Sequence, residues 1–122
     1  MEFGDYVREK RKEKNLTLMD ISDKLGITPV YLSDIEKNRR NPFEKDMLEK
    51  LIAILGLNDG EAHELMDLAG KARHQVSPDL QPYIMDVPEA RIALRKARDQ
   101  GQNGEFWKEV ISKLENKDGE GT

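Results

Sequence analysis

The most constraining feature of this chain is the short stretch Leu25-Gly26-Ile27-Thr28-Pro29. Upstream of it, Leu18, Ile21 and Leu25 have the spacing of one apolar helix face, and Thr17 offers an N-cap with Asp20 three residues on. Gly26 suits the left-handed position that ends a helix. Thr28 is a second N-cap, and Pro29 fits the first helical residue, where a missing N–H removes no bond. Leu32 and Ile35 then point inward, and this helix is expected to end near Asn38. A turn this tight does not let the second helix fold back antiparallel; two such helices cross at roughly 90–120°.

Most of the remaining chain also reads as helix. A first helix is predicted over residues 3–14, with Phe3 and Val7 inward and Asn15 as a left-handed stop. Asn41-Pro42 breaks the chain. A helix over 44–55 buries Met47, Leu48, Leu51, Ile52 and Leu55 and stops at Gly56, and a helix over 59–73 turns Ala62, Leu65, Met66 and Ala69 inward. Alternation of the strand type is scarce. The predicted fold class is all-α, with a five-helix domain over 1–73. Pro78, Pro82 and Pro88 argue against helix in 74–88, which reads as a linker, extended in part, with Tyr83, Ile84, Met85 and Val87 available to dock it on a surface. Helices over 88–100 and 105–116 predict a C-terminal helical hairpin, and 117–122 a flexible tail.

The net charge is −4, but its distribution matters more. Residues 1–57 carry eleven acidic and eleven basic side chains, whereas residues 58–122 carry thirteen acidic against nine basic. Within the neutral half the bases cluster: Arg8, Lys10, Arg11, Lys12 and Lys14 form one group, and Lys37, Arg39 and Arg40 another. Such clusters grip phosphate locally, or they are solvated charged faces. There is no cysteine, hence no disulfide or thiolate metal site. The charged N-terminus and the lack of roughly 20 consecutive apolar residues predict a soluble, cytoplasmic protein without a membrane segment.

Residues 17–36 together have the geometry of a helix-turn-helix. The amino-terminal end of the second helix projects with unpaired N–H groups and a positive dipole end, both favourable toward phosphate, and a helix of this length fits the major groove of B-DNA. Ser22 is small where the two helices cross, and Ile27 plugs the core beneath the turn. Pro29, Val30, Tyr31, Ser33, Asp34 and Lys37 are left outward, and Lys37, Arg39 and Arg40 emerge at the far end.

The stretch Leu18 to Glu36, with Asn38-Arg39-Arg40-Asn41-Pro42, resembles the lambda-repressor-like or Xre family of regulators, and Ile27 to Lys37 looks like that family's recognition helix. The resemblance covers about residues 3–57. It implies a compact all-α domain that binds double-stranded operator DNA, usually as a homodimer on a palindrome. It also implies that a basic residue of the first helix pairs with a glutamate late in the third, here Arg11 with Glu36. The family often has glutamine at the start of the second helix, where this chain has Leu18. Thr17 would then serve through its hydroxyl, or backbone N–H groups alone would bind. The outward face is poor in long donors: Val30 is placed for a thymine methyl, Asp34 for cytosine N4, and Tyr31 and Ser33 for phosphate. Asp34 is otherwise repulsive toward DNA, which leaves a structural role or the rejection of wrong DNA open. Tyr31 also fits as a half-buried packing residue, and Thr17 and Thr28 are caps first.

Enzyme readings find little support. His63 and His74 lie apart without a metal-site partner, and no phosphate loop, nucleophile elbow or cofactor motif is present. Trp107, Val110, Ile111 and Leu114, with Phe106 alongside, form the cleanest apolar stripe. The helix before it, with Ile92, Leu94 and Ala97, is too modest to cover it. The stripe makes a homodimer, meets a protein partner, or packs in cis. The alternative to a DNA-binding regulator is an antitoxin that binds a toxin and autoregulates its operon, with the acidic second half as a toxin-binding or protease-sensitive arm.

Overall fold

A computed structural model of the chain describes residues 1–120. Among them are eight helices and no strand: α1 (Phe3–Glu13), α2 (Leu18–Leu25), α3 (Pro29–Glu36), α4 (Lys45–Leu55), α5 (Asp59–Ala72), α6 (Gln81–Asp86), α7 (Pro88–Asp99) and α8 (Gly104–Glu120). The chain divides into two compact units, Met1–Tyr83 and Ile84–Thr122.

In the first unit several helix ends are set by local side chains and glycines. The Thr17 hydroxyl accepts from the Asp20 amide at 3.0 Å while the Asp20 carboxylate accepts from the Thr17 amide at 2.8 Å, a reciprocal capping box. Asn58 and Glu61 repeat the device at α5, at 2.8 and 3.0 Å. Gly26 and Gly56 end α2 and α4 in the left-handed region, at φ 73° and 60°. Asn15, as expected, has φ 56°. Phe3, Val7, Ile21, Leu32, Ile35, Leu48, Leu51, Leu55 and Leu65 form the centre of one continuous core. Met47 and Ile52, expected inside, are only partly buried against it. α3 packs on both α1 and α2, α5 packs on α1, and α4 on α2. Leu32 is fully buried, so truncating it to alanine would cost about 2–5 kcal/mol. The Tyr6 hydroxyl donates to the Glu61 carbonyl at 3.1 Å, and Lys10 pairs with Glu61 at 2.9 Å, tying α1 to α5.

Residues 74–88 differ from the extended linker expected of three prolines, because α6 lies within them. Pro82 is its second residue, where the N–H has no helical partner to lose, and Pro88 is the first residue of α7. The amides of Leu80 and Gln81 bond the Ser77 carbonyl at 3.0 and 3.3 Å, winding the chain into α6. The prolines open helices here; only Val87 stands between α6 and α7.

In the second unit, α7 and α8 are joined by a turn in which Gly101 has φ 69° and the Asn103 side chain accepts from the Glu105 amide at 3.1 Å. Arg91 donates to the carbonyls of Ile84 and Met85, at 2.9 and 2.5 Å, capping the end of α6. Ala97 is buried, and Phe106 and Trp107 meet edge to face with centroids 5.0 Å apart. The tail expected to be flexible from residue 117 instead continues α8 to Glu120, since a glycine at 119 costs only about 1 kcal/mol in a helix and no proline interrupts it. Residues 121 and 122 of that tail lie outside the described residues.

Candidate nucleic-acid interface

The turn between α2 and α3 is three residues, Gly26 to Thr28, and the Ile27 amide closes it on the Ser22 carbonyl at 3.0 Å. Ser22 is fully buried at the crossing. The Thr28 hydroxyl accepts from the Tyr31 amide at 3.1 Å, with Pro29 as the first helical residue. Pro29 has no N–H and the Leu32 amide bonds the Thr28 carbonyl at 3.1 Å, so in the first turn of α3 the Val30 amide is the one left free for an anion. Thr17 and Thr28 are both exposed, and Val30, at 72% exposure, is the most open large apolar side chain of the unit. Met19 in the first turn of α2 is also exposed, a residue that sequence reasoning passed over because one surface methionine carries no pattern.

The remaining residues singled out on α3 divide. Pro29 and Ser33 are half-buried and Lys37 is exposed. Tyr31 is half-buried: its ring stacks on Phe43 with centroids 6.0 Å apart, and Phe43 meets Phe3 edge to face at 6.4 Å. The guanidinium of Arg40 lies over the same ring, 4.8 Å from its centre. Asp34 stands between two cations, with Arg39 Nη1 at 3.7 Å and Arg40 Nε at 3.8 Å. Both guanidinium groups remain largely exposed.

The exit from α3 is fixed by Asn38, which lies in the left-handed region at φ 60°. The Asn38 amide bonds the Ile35 carbonyl and the Arg39 amide bonds the Asp34 carbonyl, at 3.0 and 2.9 Å, a complete Schellman stop. Its side chain accepts from the Gly4 amide at 2.8 Å and donates to Asp5 at 3.2 Å, so it also caps α1. The sequence pointed to a helix end here; the second duty, across 34 residues, has no local signal. Arg73 completes the frame by donating to the Pro42 carbonyl at 2.6 Å and pairing with Glu44 at 3.2 Å.

Arg11 and Glu36 meet as a fork, with Nε and Nη2 donating to the two carboxylate oxygens at 2.7 and 2.9 Å. Arg11 also donates to the Leu16 carbonyl at 3.0 Å. Both side chains are largely buried, and the hydrogen bonds that Arg11 donates to Glu36 raise its pKa above the ordinary value. The pair orients α3 against α1 and the entry to α2. In the second unit Phe106, Trp107 and Val110 are half-buried, while Ile111 and Leu114 are exposed. Among the described residues no His, Asp or Glu cluster could hold a metal ion, and no helix is long and apolar enough to cross a membrane.

A helix-turn-helix family model matches residues 7–61. The transcriptional regulator SinR of Bacillus subtilis is 26% identical over 98 residues, which is 79% of this chain and 86% of SinR. The immunity repressor of Bacillus phage phi105 is 35% identical over 57 residues, covering 47% of this chain and 39% of the repressor. A crystal structure of SinR in complex with DNA is 34% identical, covering 53% of this chain and 98% of that one, at a TM-score of 0.46. The chain belongs to the lambda-repressor-like, or Xre, family of helix-turn-helix DNA-binding transcriptional regulators.

Proposed function

We propose that this protein is a sequence-specific repressor that binds a palindromic operator as a homodimer, with α3 in the major groove. The observation that carries the reading is the exposed amino-terminal end of α3. It offers the Val30 side chain and its free amide, and the chain leaves the helix through two exposed arginines, Arg39 and Arg40. In this arrangement Arg39, Arg40 and Lys37 hold phosphates and set register, as do the amino ends of α2 and α3 beside Thr17 and Thr28. Val30, and Asp34 where cytosine is offered, contact base edges, and Ser33 and Tyr31 flank them. The regulator and the phage repressor among the relatives favour this reading over an antitoxin. The apolar residues of α8 are the candidate surface for the second copy or for a protein partner. The expected location is the cytoplasm, where the DNA is.

The test is selection of a binding site from random genomic fragments, followed by mobility shift on the selected duplex across a salt series. Tight binding that weakens steeply with salt is expected, with a slope shallower by about four in Arg39→Ala/Arg40→Ala, since two arginines are lost from each of two subunits. Failure to select any sequence would overturn the proposal.

A further inference from the structure

The placement of Asp34 is unusual for a surface meant for a polyanion. It projects from α3 on the side of the helix where the chain exits, and its carboxylate faces both cations that exit supplies. The grouping is built into the backbone, because the Schellman stop bonds the Arg39 amide to the Asp34 carbonyl at 2.9 Å. Arg40 is held from a second side, its guanidinium over the Tyr31 ring at 4.8 Å, and that ring rests on Phe43. The separations to the carboxylate, 3.7 and 3.8 Å, are those of ion pairs without a direct hydrogen bond. A phosphate that offers short charge-assisted bonds would displace such pairs.

We propose that Asp34 is a specificity-determining residue that competes with DNA phosphate for Arg39 and Arg40. The inference rests on the DNA-binding reading above. In the free protein Asp34 offsets the charge of both arginines. On any duplex they must leave it, and the carboxylate is then stranded beside phosphates. Random DNA gives nothing in return. An operator that presents a cytosine N4 amino group to α3 gives Asp34 a donor, so the penalty falls mainly on the wrong sequences.

The experiment uses the full chain and its Asp34→Asn variant, which keeps the shape and removes the charge. Both are titrated in a salt series with a random-sequence duplex and with the selected operator. Affinity of Asp34→Asn for the random duplex is expected to rise roughly fivefold at low salt, the size set by one or two exposed ion pairs, with an unchanged melting temperature. The rise is expected to be smaller on the operator, and clearly reduced when Arg39→Ala/Arg40→Ala is already present. No rise would overturn the proposal. A full rise without the arginines would do the same, since Asp34 would then act on DNA directly. An equal rise on both duplexes would remove the specificity role. Failure of the underlying reading would look different: the wild-type chain would select no sequence, and its binding would ignore Arg39 and Arg40.

Discussion

The amide of Gly4, in the first turn of α1, donates to the side-chain oxygen of Asn38, the left-handed residue that ends α3. The approach is so close that a Cβ on Gly4 would lie 2.3 Å from the Ile35 carbonyl oxygen and 2.6 Å from Asn38 Oδ1. Neither obstacle is the end of a flexible side chain free to swing away. Gly4→Ala is therefore expected to force α1 and α3 apart and to lower stability by about 1–3 kcal/mol in urea unfolding. Because α3 moves with Asn38, operator affinity should fall in the same variant at temperatures where it is still folded.

Arg11 and Glu36 lock the same two helices from inside. Removing one partner leaves a buried charge without its counter-ion, so Glu36→Gln is expected to cost about 3 kcal/mol. Replacing both by methionine should recover most of that loss. About 1 kcal/mol would remain, because the Leu16 carbonyl loses the Arg11 donor. A double-mutant cycle by chemical denaturation reads the coupling; additive losses would mean that the fork contributes nothing beyond two surface charges.

The first unit was legible because its signals are local. Thr17 with Asp20, Gly26, Thr28-Pro29 and Gly56 each fix the backbone within a few residues, and the apolar spacing between them decides what faces inward. The pairing of Arg11 with Glu36 came from family resemblance, since nothing within reach of either residue announces it. Gly4 and Asn38 stayed invisible for the same reason: each has an ordinary local reading, and their contact exists only once α1 lies across the end of α3. Tyr31 read as outward by helical phase or as a half-buried packing residue; the second holds, its ring lying on Phe43, a partner beyond a break whose path no periodicity describes. α6 was missed because prolines were weighed as breakers without asking whether they fall in a first turn.

Thr28 caps α3 and also stands where phosphate would approach, and the two duties can be separated. Thr28→Asp keeps a good N-cap and adds a charge favourable to the helix's amino end, so melting temperature should hold or rise slightly. The same carboxylate opposes a phosphate, so DNA affinity should fall by roughly tenfold at low salt, with a deficit that shrinks as salt rises. Unimpaired binding would move the phosphate away from this end of α3.

Acid should loosen the helix starts before the core. The Thr17 amide holds the Asp20 carboxyl below the usual carboxylate range, and the Asn58 amide, followed by Lys10, does the same for Glu61. A depressed folded-state pKa means that the unfolded chain binds protons first as pH falls. The contribution is therefore complete above the unfolded values near pH 4 and is lost as pH drops through the lower folded ones. Melting temperature is expected to be flat above about pH 5 and to fall below pH 4. Asp20→Ala and Glu61→Ala should lower the plateau and flatten the acid limb; an acid limb unchanged in both variants would assign it to other carboxylates.

If the apolar face of α8 joins two copies, the operator is read by two α3 helices rather than one. Ile111 and Leu114 are 53% and 59% exposed, whereas Trp107 and Val110 are half-buried and Phe106 meets Trp107 edge to face. Aspartate at Ile111 and Leu114 would therefore spoil the outer surface while leaving the packed side of the helix in place, which Trp107→Ala would not. If this face joins two copies, light scattering should give a dimer mass for the wild type and a monomer mass for Ile111→Asp/Leu114→Asp at the same helical content. Two-fold symmetry would set the two recognition helices about 34 Å apart, one turn of DNA. The variant should then keep its weak grip on a half-site while losing the steep preference for the full palindrome. A mass and a preference both unchanged would show that this face serves something other than self-association, and the palindrome would have to be read through contacts between the first units alone.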